Sequence, residues 1–314
     1  RHILLTGPVG TGKTSIGMMI PEIFGDDESK YIAEEFTATN DWTTQDVIGG
    51  IVPKMNNEKD VMFDIQYGCV TETVLQNWEN GVRQGKRTNS FKKDRDRNIQ
   101  SVKGIWLVID EFNRADIDKA FGQLFTALRT KKLKIPTNIA AISSMDLKIP
   151  EDYRIIGTLN TSDKHHLFEL SDALKSRFAH VEIGIPSKEQ KVQEMFFALK
   201  SASQEIEYNF EEYFELDEIK KSIIKKDENF YNAIDSCYEI LSLVRIFKGF
   251  GTAILKLIYQ NILGGVVTNM KYYNSVDYEK LIDSAIVSNL LPLIENLAKT
   301  DLEIVNSLVN KTTI

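Results

Sequence analysis

Residues 7–15 read GPVGTGKTS, directly behind the apolar run Ile3, Leu4 and Leu5. Gly7, Gly12, Lys13 and Thr14 occupy the fixed places of G-x-x-x-x-G-K-[ST], a pattern that works only where a buried strand runs through a tight loop into a helix. The flanks comply: Arg1–Thr6 predicts the strand and Ser15–Phe24 the helix. Glycines at these places let backbone N–H groups close around phosphate oxygens that a Cβ would obstruct. Gly7, Pro8, Val9, Gly10, Thr11, Gly12, Lys13, Thr14 and Ser15 therefore form the candidate nucleotide-binding loop. The helix start adds its positive dipole end. Lys13 is placed to reach the β- and γ-phosphates of a triphosphate, and the Thr14 hydroxyl to ligate magnesium.

The same strand-then-helix alternation continues downstream. Apolar runs recur at Ile3–Leu5, Tyr31–Phe36, Ile105–Ile109, Ile155–Leu159 and Val181–Ile185, with intervals long enough for helices. The pattern predicts an α/β fold, a P-loop NTPase parallel sheet flanked by helices. Ile185, Pro186 and Ser187 mark its end, because proline stops a strand and Ser187 with Gln190 forms an S-x-x-Q capping box. Residues 1–186 are thus expected to be a nucleotide-binding core and residues 187–314 an α-helical lid. Within the lid, Leu216–Asp227 reads as a solvated amphipathic helix, and Phe247–Gly265 as a buried helix with glycine at both ends. A last pair spans Tyr278–Val309 and breaks near Pro292.

Two insertions interrupt the core. Gly49–Val70 predicts a β-hairpin around the turn MNNEKD, followed by a helix over Thr71–Trp78. Arg83–Lys103 carries Arg83, Lys86, Arg87, Lys92, Lys93, Arg95, Arg97 and Lys103 against Asp94 and Asp96. A solvated loop is the plain reading of such a segment, and contact with a phosphate backbone or an acidic partner is the other.

Composition narrows the class. At 314 residues and 42% hydrophobic content the chain can bury a large core, in about two domains. Its net charge of -7 argues against coating nucleic acid through the whole surface. No apolar run reaches the roughly 18 residues of a membrane helix and no signal peptide is visible, so no membrane association and a cytoplasmic location are expected. Cys69 and Cys237 are too few for a disulfide framework and read as isolated thiols. A chain that opens on its first core strand is expected to derive from a longer protein, and the preceding segment often helps hold the nucleotide base.

A phosphate loop needs a metal-positioning carboxylate at the end of a buried strand, and IWLVIDE supplies it. Asp110 would hold the magnesium hydration shell, making Thr14 and Asp110 the metal pair, and Glu111 would orient and polarise the attacking water. YRIIGTLNTSD ends its strand at Asn160, whose amide can reach the γ-phosphate or the water if this strand lies beside the Asp110 strand. Arg177, in ELSDALKSRF ahead of the next strand, has the place of an arginine finger. His165 and His166 are adjacent, would point apart, and suit one metal site poorly.

These elements together resemble the AAA+ ATPases. DEFNRAD at Asp110–Asp116 and LNTSDKHHLFELSDALKSRF at Leu159–Phe178 are similar to the branch holding McrB-type restriction motors, MoxR-like chaperones and dynein-related ATPases. The likeness covers about residues 1–186, and more loosely the helical part, where SAIVSNLLPLIENL resembles a lid helix. It implies Walker A roles for Lys13 and Thr14, Walker B roles for Asp110 and Glu111, sensor 1 for Asn160 and the finger for Arg177. It also makes Gly49–Val70 a helix-2 insert facing a pore or partner. Lys164 stands where relatives often carry Arg, and Ala253 where the lid commonly carries a sensor 2 arginine, a role open to Lys256 or Arg245. The function implied is ATP hydrolysis with Mg2+ in a homo-oligomeric, hexameric ring that remodels or translocates a protein partner or nucleic acid. GTP hydrolysis in an McrB-like DNA restriction motor, and a nucleotide-dependent assembly scaffold with little turnover, are the alternatives.

Overall fold

A computed structural model describes residues 1–25, 29–55, 61–79, 101–137, 144–161 and 176–312. The chain divides into two compact units, Arg1–Gly7 with Lys13–Ile183, and Pro8–Gly12 with Gly184–Ile314.

The first unit runs β1 (His2–Gly7), α1 (Lys13–Ile23), β2 (Ser29–Thr37), α2 (Thr44–Val47), β3 (Gly49–Met55), β4 (Val61–Tyr67), α3 (Cys69–Leu75), β5 (Ser101–Asp110), α4 (Ile117–Thr130), β6 (Lys132–Pro136), β7 (Ser144–Lys148), β8 (Ile155–Asn160) and β9 (Phe178–Glu182). Five of these strands form one parallel sheet in the order β2-β5-β8-β1-β9. Alternate residues supply both of its faces. Leu4, Leu107, Ile109 and Ile155 pack with Phe112, Phe121 and Leu124 on one side. Leu5, Trp106, Val108 and Ile156 pack with Ile16 and Ile20 of α1 on the other. Strands covered on both faces read as unbroken apolar runs, which is why β1, β5 and β8 were visible in the sequence.

β9 runs Phe178–Glu182 rather than the expected Val181–Ile185, because Phe178 is buried against the rings of His2 and Phe112. The Gly49–Val70 hairpin forms, pairing Gly49 with Tyr67 through to Met55 with Val61. The following helix starts at Cys69 after the extended Gly68, two residues earlier than expected, and ends at Leu75, three residues earlier. A second hairpin, β6 with β7, had no expectation behind it. Arg83–Arg97 of the basic segment lie outside the described residues. Lys103 belongs to β5 and stands over the Tyr31 ring.

The second unit holds α5 (Lys191–Ser203), β10 (Phe214–Asp217), β11 (Ser222–Lys225), α6 (Glu228–Val244), α7 (Thr252–Tyr273), α8 (Tyr278–Asn289), α9 (Leu291–Ile294) and α10 (Lys299–Thr312). The Ser187 capping box is present, with Ser187 N–H donating to Gln190 Oε1 at 2.9 Å, and it opens a short 3-10 turn into α5. Phe230, Leu241, Leu255, Ile258, Tyr259 and Ile262 centre a helical core.

Two expectations fail here. Leu216–Asp227 is a hairpin rather than a helix: Asp217 Oδ1 accepts from the N–H groups of Ile219 and Lys220, Lys221 takes a left-handed φ of 51°, and β-branched Ile223 pairs back onto Leu216. A local side-chain acceptor reversed the chain where the amphipathic period suggested continuation. The helix expected over Phe247–Gly265 starts at Thr252 and runs on to Tyr273, with Gly264 and Gly265 inside it. Gly265 allows close approach of α8, since a Cβ there would lie 2.3 Å from Leu281 Cδ2.

Cys69 and Cys237 are buried free thiols, and burial pushes each up to about 12, leaving them protonated at neutral pH. Among the described residues no helix is long and apolar enough to cross a membrane.

Candidate nucleotide site

The parallel order brings the C-terminal ends of β1, β5 and β8 to one edge, where Gly7 pairs with Asn160 and Asp110 closes β5. Crevices outside such strand ends are where open α/β sheets bind ligands. Lys13 starts α1, is 6% exposed, and its Nζ donates to Gly7 O at 3.1 Å. Thr14 follows, and its hydroxyl donates to Asp110 Oδ1 at 2.6 Å. Ser15, also counted in the loop, is exposed on α1.

Asp110 is held from a second side. Thr158 of β8 donates its hydroxyl to Asp110 Oδ1 at 2.5 Å and accepts from Glu111 N–H at 3.0 Å. Thr158 is a site residue that the sequence reading passed over. The available signal was its spacing, two residues before Asn160 on a strand, which puts both on one face.

Glu111 has φ 52° and ψ 39°, a left-handed conformation uncommon for glutamate. Strain of this kind persists where surrounding structure enforces it. Here the Thr158 bond and the short 3-10 turn Phe112–Arg114 do so. The carboxylate stands between two donors, Asn160 Nδ2 at 3.4 Å from Oε1 and Arg114 Nε at 2.8 Å from Oε2. Arg114, within DEFNRAD, is a second residue the sequence reading left without a role. Asn113 of the same turn is 2% exposed, and its Nδ2 has no hydrogen-bond partner among the described residues.

Arg177 lies elsewhere. It precedes β9, whose Phe178 is in register with His2, and its carbonyl accepts from His2 N–H at 3.2 Å. Five residue steps along β1 take the chain from His2 to Gly7, about 17 Å along the strand. The side chain therefore starts at the opposite end of the sheet from Lys13, Asp110 and Asn160. Asp163, Lys164, His165 and His166 lie outside the described residues.

The remaining loop residues, Pro8–Gly12, group with the second unit. Gly10 and Gly12 have φ of 79° and 78°, values that admit glycine most readily. The Thr11 hydroxyl donates to Pro8 O at 3.0 Å, and Val9 bridges to Phe250. Both cations considered for the sensor 2 role are engaged inside this unit. Arg245 is buried in an ion pair with Glu194, and Lys256 pairs with Glu205. Ala253 lies in the first turn of α7 and offers no side-chain donor.

Thr14 and Asp110 fit a magnesium ion. A hydroxyl and a carboxylate held this close are hard oxygen donors of the kind it takes, with the other positions left to water and phosphate.

A family model described as AAA domain (dynein-related subfamily) matches residues 2–178. No curated protein matches the chain. Among solved structures, a candidate ATPase from Cytophaga hutchinsonii is similar at 13% identity and TM-score 0.37, covering 99% of this chain and 84% of its own. NtrX from Brucella abortus, solved in complex with ADP, is similar at 11% identity and TM-score 0.48, covering 99% of this chain and 56% of its own.

Proposed function

The chain belongs to the AAA domain family, dynein-related subfamily, and from that membership we propose that it is an ATP hydrolase working between neighbouring subunits of a hexameric ring. The observation that carries this reading is the Thr14–Asp110–Thr158 hydrogen-bond chain with Glu111 and Asn160 beside it. Lys13 binds the phosphates, exchanging its bond to Gly7 O for their oxygens. Thr14 and Asp110 hold the magnesium, which when bound offsets charge on the β- and γ-phosphate oxygens. Glu111 accepts the proton of the attacking water as the bond from the γ-phosphorus to the bridging oxygen breaks, and the Asn160 amide orients that water.

Arg177 acts in trans in this reading. Its place at the far end of β9 suits a neighbour's nucleotide better than its own. As a finger it would contribute roughly three to five orders of magnitude to turnover.

The hairpin β3–β4 favours a polypeptide as the remodelled partner over nucleic acid. Ile51 and Ile65, Pro53 and Phe63, and Met55 and Val61 pair across it, so three successive pairs on one pleat face are apolar. Phe63 is 74% exposed on it, and Lys54 is paired with Asp64 on the other face. Exposed apolar faces of this kind mark interaction sites, whereas phosphate backbones are met by unpaired cations.

The test is steady-state phosphate release from ATP and from GTP by the wild type, Lys13→Ala and Glu111→Gln proteins. The expected result is turnover of ATP, no triphosphate binding by Lys13→Ala, and triphosphate held without turnover by Glu111→Gln. Preference for GTP would move the protein to the restriction-motor reading. Binding with equal, negligible release in wild type and Glu111→Gln would make it a scaffold.

A further inference from the structure

A loop that turns its N–H groups inward toward an anion turns its carbonyls outward, and these need donors of their own. In this chain they find them at the start of α7. Gly251 N–H donates to Val9 O at 2.8 Å and Ala253 N–H to Gly10 O at 3.0 Å. The first N–H groups of a helix have no partners inside it, so the orphan donors of α7 meet the orphan acceptors of the loop. Across each trans peptide the C=O and the next N–H point oppositely. Fixing Val9 O and Gly10 O therefore fixes the directions of the Gly10 and Thr11 N–H groups. The approach leaves no room for a side chain: a Cβ on Gly251 would lie 2.1 Å from both the carbon and the oxygen of the Gly10 carbonyl, and 2.3 Å from Thr11 N.

The segment leading into α7 is itself held by a buried pair. Arg245 Nη1 and Nη2 donate to Glu194 Oε2 and Oε1 at 2.9 and 2.6 Å, and Arg245 Nε donates to Phe250 O at 2.8 Å. The Thr252 hydroxyl donates to Glu194 Oε1 at 3.0 Å. The two charged side chains are 6% and 0% exposed. Buried ion pairs of this kind are a poor source of stability compared with apolar residues of the same volume. A planar fork that binds a carboxylate on one side and the Phe250 carbonyl on another is, however, a precise way to fix a backbone.

We propose that the first turn of α7 is a backbone clamp that sets the conformation of the glycine-rich loop, with Gly251 as the contact and Glu194 and Arg245 as positioning residues. The lid then governs nucleotide affinity by gripping the loop rather than by presenting a cation from position 253. This rests on the reading of residues 7–15 as the nucleotide site.

Gly251→Ala tests it, with Gly264→Ala as a control on the same helix, where a Cβ meets nothing within 4 Å. Binding of a fluorescent ATP analogue is expected to weaken roughly 10- to 100-fold in folded Gly251→Ala protein, and to stay at the wild-type value in Gly264→Ala. Arg245→Lys keeps the charge but loses the fork, and is expected to raise KM for ATP while kcat changes little. Should Gly251→Ala not fold, Thr252→Val, which removes one hydroxyl from Glu194, is expected to weaken binding in the same direction by less. Wild-type affinity in a folded Gly251→Ala protein would overturn the clamp. Amide hydrogen exchange across residues 248–256 without nucleotide separates this from failure of the nucleotide reading. Slow exchange at Gly251 and Ala253 supports the clamp even if no triphosphate binds, and exchange at unprotected rates overturns it.

Discussion

Thr14 and Asp110 are 96 residues apart in the chain, yet the Thr14 hydroxyl donates to Asp110 Oδ1 at 2.6 Å. The contact joins the first turn of α1 to the end of β5, and both atoms are ligands that magnesium accepts. Asp110→Asn keeps the shape and removes the charge. Triphosphate affinity of that variant in excess Mg2+ is expected to fall to the value the wild type shows in chelator, with hydrolysis down roughly 100- to 1,000-fold. Retention of the wild-type magnesium dependence would show that the ion is held elsewhere.

Thr158 links the Asp110 carboxylate to the backbone of Glu111. Thr158→Val removes the donor to Asp110 and leaves Glu111 N–H without its acceptor, while conserving volume. A loss in kcat of roughly 10- to 100-fold is expected, since loss of a bond to a charged group costs about 1.5–3 kcal/mol. Thr158→Ser should recover most of it. Equal kcat for the valine and threonine proteins would reduce Thr158 to a core residue.

Arg177 and Glu111 supply a test of shared sites. Each of Arg177→Ala and Glu111→Gln should be inactive alone. Subunit exchange between them creates interfaces with an intact Glu111 and an intact Arg177, so phosphate release should partly return. No recovery in rings shown to be mixed would leave Arg177 a structural residue.

His2 carries a pH dependence of stability. It is buried, its Nδ1 accepts from Ile155 N–H at 2.9 Å, and burial, with Lys131 and Arg154 nearby, lowers it to about 3. A folded value below the unfolded 6.5 means that the unfolded chain takes up the proton first. The stabilisation is complete above about pH 6.5 and is lost as pH falls toward 3, at about 1.4 kcal/mol per pH unit for this one group. Unfolding free energies from urea titrations should fall by about 2 kcal/mol between pH 7 and pH 5 in the wild type through this group. His2→Asn, which keeps an acceptor but cannot titrate in this range, should flatten that fall.

The local sequence was sufficient wherever covalent spacing alone makes the chemistry. The loop at Gly7–Thr14, the apolar runs of β1, β2, β5 and β8, the Ser187–Gln190 capping box and the hairpin pairing Gly49 with Tyr67 all depend on residues close in the chain, whose conformation is set by neighbours. Asp110 and Asn160 could be placed at strand ends for the same reason. What the chain order could not convey is which ends meet. The β5-β8-β1 order alone puts Thr158 onto Asp110, and the register of β9 with β1 carries Arg177 to the opposite end. Arg245, open as a sensor from sequence, is spent on Glu194, and Gly251 fits against the backbone of Gly10. Hydrogen bonds and ion pairs between residues tens to hundreds of positions apart leave no period in a sequence. They are decided by packing, which selects one partner among many chemically equal candidates.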